Sequence, residues 1–125
     1  MLLLINNKEF LPASGMENYT RNGTNADADA MESMFNELGF IVHRYDNASS
    51  YEIRKLAKQA SIMDFSKLNC FVCCILSHGQ EGVIYGTDGT VDIREISSYF
   101  RKDNLAGKPK LFIFQACQGK YCFRM

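Results

Sequence analysis

One run restricts the fold of this chain more than any other: Cys-Phe-Val-Cys-Cys-Ile-Leu over residues 70–76, apolar at every position. A strand with one wet face alternates apolar and polar side chains. An unbroken apolar strand is buried on both faces, as in parallel sheets covered by helices on either side. The remaining sequence agrees, because short apolar runs alternate with helix-period segments in the manner of βαβ units. At 125 residues there is room for one domain, and 46% hydrophobic with 22% charged residues suits a folded globular protein. The expected fold class is therefore α/β: an open, mostly parallel sheet of about four main strands, three flanking helices and a small hairpin.

The order of elements follows from local signals. A first strand is expected over residues 2–5, then a long irregular stretch over 6–23, longer than most connections and so a candidate functional loop. The first helix starts near Thr24, with Thr24-x-x-Asp27 as its capping signal. It places Met31, Met34, Phe35 and Leu38 on one face and ends at Gly39 in a left-handed cap. A second strand covers 40–45. The second helix opens with the capping box Ser49-x-x-Glu52 and buries Ile53, Leu56, Ala57 and Ala60. After the third strand, Gly86-Thr-Asp-Gly89 marks a turn inside a hairpin over 83–93. Asp92-x-x-Glu95 then caps a short helix with Ile93, Ile96 and Phe100 inward. Gly107 and Pro109 precede the fourth strand, residues 110–115.

Charge and cysteine usage narrow the partners. Fourteen Lys+Arg balance fourteen Asp+Glu, and this neutrality without a basic run argues against nucleic acid or a membrane surface as partner. The apolar start, residues 1–5, breaks at Asn6 and Asn7 and is too short for a signal peptide or a spanning helix. Five cysteines, three of them inside one apolar run, make a poor disulfide framework. A reducing cytosol, hence a cytoplasmic location, is expected. The sequons at Asn18, Asn22 and Asn47, with no secretory signal, read as incidental. Cys70-x-x-Cys73 on a strand points its thiols to opposite faces and has no second pair, so no metal is expected. His43 reads as a structural or surface histidine. The glycines of 79–89 follow no phosphate-loop spacing, and no cofactor is expected.

Open parallel sheets bind ligands beyond the carboxyl ends of their strands. His78 directly follows the third strand and Cys117 the fourth, while the loop leaving the first strand carries Arg21. A thiol beside an imidazole gains reactive thiolate, and the imidazole can protonate a leaving amine. Gly79 leaves a main-chain N–H accessible to a developing oxyanion, with the N–H of Cys117 as a second donor. The plainer reading, a small buried hydrophobe at a strand end, stays open at this point.

These residues resemble the caspases, cysteine proteases that cut after aspartate. Gln115-Ala-Cys-Gln-Gly119 matches the family signature, whose histidine is expected about 50 residues upstream; here His78 precedes Cys117 by 39. CFVCCILSHG at 70–79, GKPKLFIFQAC at 107–117 and RNGTNADA at 21–28 are also close to the family pattern. Gln118, with the RNGT and YGTDG wording, resembles the large subunit of an initiator caspase similar to caspase eight. The resemblance implies Cys117 as nucleophile, His78 as acid/base, Gly79 as oxyanion donor, and Arg21 with Gln115 as part of an aspartate pocket. It covers residues 1–119 as a large-subunit domain, leaving 120–125 as a short tail outside the family pattern, with neither prodomain nor small subunit expected. Two functions follow. One is a caspase-type endopeptidase acting on protein substrates and needing a small subunit. The other is a catalytically incomplete, truncated caspase that binds and regulates full-length relatives.

Overall fold

A computed structural model of the protein describes residues 1–63, 70–100 and 110–116. Its centre is a parallel sheet of β1 (Leu2–Asn6), β2 (Val42–Asp46), β3 (Phe71–Ser77) and β7 (Lys110–Ala116), in the order β2-β1-β3-β7. Between them run α1 (Thr24–Glu37), α2 (Ser50–Ser61) and α3 (Ile93–Ser98). A second sheet holds β4 (Gly79–Gln80), β5 (Val83–Tyr85) and β6 (Thr90–Asp92), antiparallel in that order.

Every residue of β1 and β3 is buried. The two faces of these strands feed two cores. Leu3, Ile5, Phe71, Cys73, Ile75 and Phe114 pack with Ile53 and Ala57 of α2 and with Ile93 and Ile96 of α3. Leu2, Leu4, Val72, Cys74 and Leu76 pack with Ala28 and Phe35 of α1. The unbroken apolar run thus serves two helical layers. Burial raises the Cys74 thiol pKa to about 12 and pushes that of Cys73 up as well, so both remain protonated.

Three local features differ from expectation. Thr24 is the first residue of α1 rather than its cap; Gly23, at φ 87°, takes that position, and the Thr24 hydroxyl donates to Asn6 Oδ1 instead. The inward stripe of α1 runs through Ala28, Met31 and Phe35, whereas Met34 and Leu38 are 49% and 65% exposed. Ala28, Met31 and Phe35 recur at i, i+3 and i+7, a stripe that leaves Met34 and Leu38 off the inward face. At α3, the Asp92 carboxylate makes no capping hydrogen bond, and Glu95 turns to Arg54 and the Tyr99 hydroxyl.

The second strand begins at Val42 rather than residue 40, while several other local expectations stand. Ser49 caps α2, its Oγ accepting the Glu52 N–H at 3.1 Å. Gly39, at φ 87°, ends α1 in a Schellman arrangement, with Phe40 N–H on Phe35 O and Gly39 N–H on Asn36 O. The β5–β6 turn closes through Gly86 N–H to Gly89 O at 2.7 Å. A Cβ on Gly86 would lie 2.3 Å from the Ser50 nitrogen, so only glycine lets this turn reach the start of α2. His43 is exposed on β2. The extra strand β4 was not expected; two residues carry no periodicity.

Candidate functional site

The chain leaves β1 through Asn6 and Asn7, both fully buried. Buried amides need partners, and these supply the frame of the site. Asn7 Nδ2 donates to Ala48 O (3.1 Å) and Tyr85 O (3.0 Å), while its Oδ1 accepts the Ala48 N–H (2.7 Å). The loop is tied again at Asn47, whose Oδ1 accepts the N–H groups of Lys8 and Glu9. Further along, Phe10 and Met16 pack with Tyr85 in a small separate core. A stretch with only one turn of 3₁₀ helix (Pro12–Ser14) is thereby held against β5 and the β2–α2 connection.

This loop seats His78. The imidazole lies beside Phe10, ring centroids 4.8 Å apart, with the Tyr19 ring edge-on at 6.4 Å. Its Nε2 meets the main-chain oxygen of Tyr19. A carbonyl can only accept, so Nε2 donates the proton of this bond. That Nδ1 is buried and has no hydrogen-bond partner among the described residues. The ring is thus held by one nitrogen only, among the described residues. Behind it, Tyr85 N–H donates to His78 O. Gly79 then faces Ile84 as a non-hydrogen-bonded pair, which directs its N–H out of the β4–β5 ladder.

Arg21 lies two residues beyond Tyr19. Its Nη1 donates to Asn7 O (2.8 Å) and Thr24 Oγ1 (2.7 Å). Burial lowers its pKa from the usual guanidinium value, with Asp27 opposing the shift. Nε and Nη2 have no acceptor among the described residues, so only one arm of the fork is engaged there. Gln115 stands opposite Leu76 and lines a cavity of about 300 Å³ with Asp27, Met31 and Met34. A cavity of about 590 Å³ between α2 and α3 shares none of the site residues.

His78, Gly79 and Arg21 are therefore gathered on one loop-and-strand-end surface, and Gln115 sits on the α1 side of the same strand ends. Cys117 lies outside the described residues. Sequence reasoning missed Tyr19, which acts through a carbonyl that no side-chain pattern reveals. It also missed Asn7 and Thr24; an Asn-Asn pair ending an otherwise apolar strand was the available signal for the first.

An imidazole thus follows a central parallel strand of an α/β sheet, held by the carbonyl of a loop that carries a half-engaged guanidinium two residues further on. The protein belongs to the caspase family: the model of the caspase domain matches residues 1–122. It is 48% identical over 120 residues to caspase-3 of Mesocricetus auratus, an alignment covering 94% of this chain and 43% of that protein. It is 47% identical to caspase-7 of Gallus gallus, covering 94% and 38%, and 45% identical to caspase-3 of Mus musculus, covering 94% and 43%. The chain thus spans about two fifths of the length of these relatives. All three are caspase-3 or caspase-7 proteins, and a specific likeness to caspase eight is not among these findings.

Proposed function

We propose that this chain supplies the catalytic large-subunit part of a cysteine-type endopeptidase that cuts protein substrates after aspartate, in apoptotic proteolysis in the cytoplasm. The observation that carries the reading is the state of His78. It follows Ser77, which is paired in register with Ala116, the residue before Cys117. Its Nδ1 is buried and has no hydrogen-bond partner among the described residues. That register is compatible with a reading in which Nδ1 accepts a Cys117 proton.

In the first half of the reaction the Cys117 thiolate attacks the scissile carbonyl carbon, and the oxyanion is met by the N–H groups of Gly79 and Cys117. The imidazolium gives its proton to the departing amine, leaving a thioester. Water, deprotonated by the neutral imidazole, then hydrolyses the thioester and restores the thiol. The Tyr19 carbonyl holds the ring through both proton transfers. The free half of the Arg21 fork and the amide of Gln115 recognise the substrate aspartate, and a small subunit completes the pocket.

A second reading has an observation of its own. Among the described residues β7 pairs only with β3, and Leu111 on it is 46% exposed. An apolar strand with an open edge is a template for another strand, as suits a regulatory protein that binds full-length caspases. Co-expression with a caspase small subunit separates the two. The protease reading expects hydrolysis of an aspartyl peptide that Cys117→Ala abolishes. Stable complex formation without any hydrolysis would favour the second reading and overturn the first.

A further inference from the structure

Residues 21–24 form a turn that joins Arg21 to the start of α1. Thr24 N–H approaches Arg21 O at 3.4 Å, and Gly23 has φ 87° and ψ −12°, the values of the third residue of a type II turn. Side chains bridge the same turn a second time, through Arg21 Nη1 to Thr24 Oγ1 at 2.7 Å. The Thr24 hydroxyl is in turn anchored on Asn6 Oδ1, also at 2.7 Å. Asn22 and Gly23 are both exposed. Neither the Gly23 N–H nor the Asn22 side-chain amide has a hydrogen-bond partner among the described residues. Asn22-Gly23 is the only Asn-Gly pair in the sequence.

We propose that Asn22-Gly23 is a self-modifying site, where loss of ammonia through a succinimide converts Asn22 to an aspartyl or isoaspartyl residue and unseats Arg21. The Gly23 nitrogen, losing its proton to base, attacks Asn22 Cγ and closes a five-membered imide. The Asn22 Cγ–Nδ2 bond breaks, and the amide nitrogen leaves as ammonia with a proton taken from water. Water then opens one of the two imide carbonyls, giving either product. Glycine favours the closure because no Cβ obstructs the attacking nitrogen, and neither the attacking Gly23 nitrogen nor the departing Asn22 amide is held by a described residue, although the Arg21–Thr24 turn must open as Asn22 rotates. The isoaspartyl product adds one atom to the backbone between Arg21 and Thr24. The backbone and side-chain bridges of the turn then cannot both be kept. Either product also adds a negative charge one residue from Arg21. An effect on substrate recognition rests on the role proposed for Arg21; the chemistry at Asn22 does not.

The fold contains its own control. Asp88-Gly89 is another pair capable of forming the imide, but the Asp88 carboxylate accepts the Ser50 N–H at 2.8 Å. That bond lowers its pKa and keeps it ionised, a poor electrophile. Incubating the full-length protein at neutral and mildly alkaline pH, followed by peptide mapping, tests the chemistry. Asn22 should lose its amide nitrogen ahead of every other asparagine, faster at the higher pH, while Asp88 stays unchanged and Asn22→Ser shows no conversion in this peptide. An Asn22 that outlasts Asn25 or Asn36 in the folded protein would overturn the site. The Arg21 Nε–H resonance tests the consequence: it should shift in the converted protein and stay in place in Asn22→Ser incubated alongside. An unmoved resonance in fully converted protein would overturn the unseating. Neither readout needs protease activity, so failure of the protease reading leaves both interpretable.

Discussion

Replacing Asn7 with leucine keeps the approximate size of the side chain and removes every polar bond it makes. Ala48 O still accepts the Thr87 N–H, and Tyr85 O still accepts the Ser77 hydroxyl, so neither carbonyl is orphaned. The Ala48 N–H has only Asn7 Oδ1. An orphaned buried donor costs about 1–3 kcal/mol and each of the two other lost bonds about 1 kcal/mol net, so Asn7→Leu should destabilise the protein by about 3–5 kcal/mol. That is a large part of the roughly 5–15 kcal/mol available to a domain. In urea unfolding, with a slope of about 1–3 kcal/mol per molar, the midpoint should fall by about 2 M. Asn7→Asp is the sharper companion, because it retains the acceptor for Ala48 N–H while setting an oxygen against the carbonyls of Ala48 and Tyr85. It should be at least as destabilising. An Asn7→Leu variant within about 1 kcal/mol of the original would refute the claim that these buried amides hold the site loop.

Smaller perturbations test other links. Ser49→Ala removes the α2 cap and should cost about 1 kcal/mol, seen as a melting temperature lower by about 4 °C. Asp88 has its pKa lowered from 3.8, first by the Ser50 backbone hydrogen bond, so its contribution to stability is full above that value and fades as pH falls through the lower folded one. Unfolding curves from pH 6 down to about pH 2 should therefore show the original protein losing more stability than Asp88→Asn over that acid limb. Cys73 and Cys74, buried with raised pKa values, should resist iodoacetamide at pH 8 in the folded protein and react once it is unfolded in urea; rapid native labelling of either would contradict the two-layer core.

Much of this architecture was legible because burial on both faces leaves an unmistakable mark. The apolar run at 70–76 implied helices on either side, and they are there, with Cys73 and Cys74 feeding opposite cores. The capping box at Ser49 was equally readable, since both of its partners are local in sequence. Where contacts are distant, the pattern misled. Met34 and Leu38 fit a helical stripe, but the face of α1 that packs on the sheet is the neighbouring one through Ala28, Met31 and Phe35. Thr24 has the composition of a cap and is taken instead by Asn6, eighteen residues away in sequence. At the site, His78 and Arg21 could be named from their places after strand ends and in the long loop. The Tyr19 carbonyl that holds the imidazole could not, because a main-chain atom carries no residue signature.

The central claim is that His78 and Arg21 serve a Cys117 nucleophile directed at aspartate. Its most direct test is labelling of the protein, co-expressed with a caspase small subunit, by an aspartyl-peptide electrophile, with the modified residue mapped by mass spectrometry. Adduct is expected on Cys117 alone. It should be lost in His78→Ala, reduced by about an order of magnitude in Arg21→Lys, which keeps the charge without the fork, and weak with the asparaginyl analogue. Adduct on Cys70, Cys73 or Cys74 in preference to Cys117, or equal labelling by the asparaginyl analogue, would contradict it.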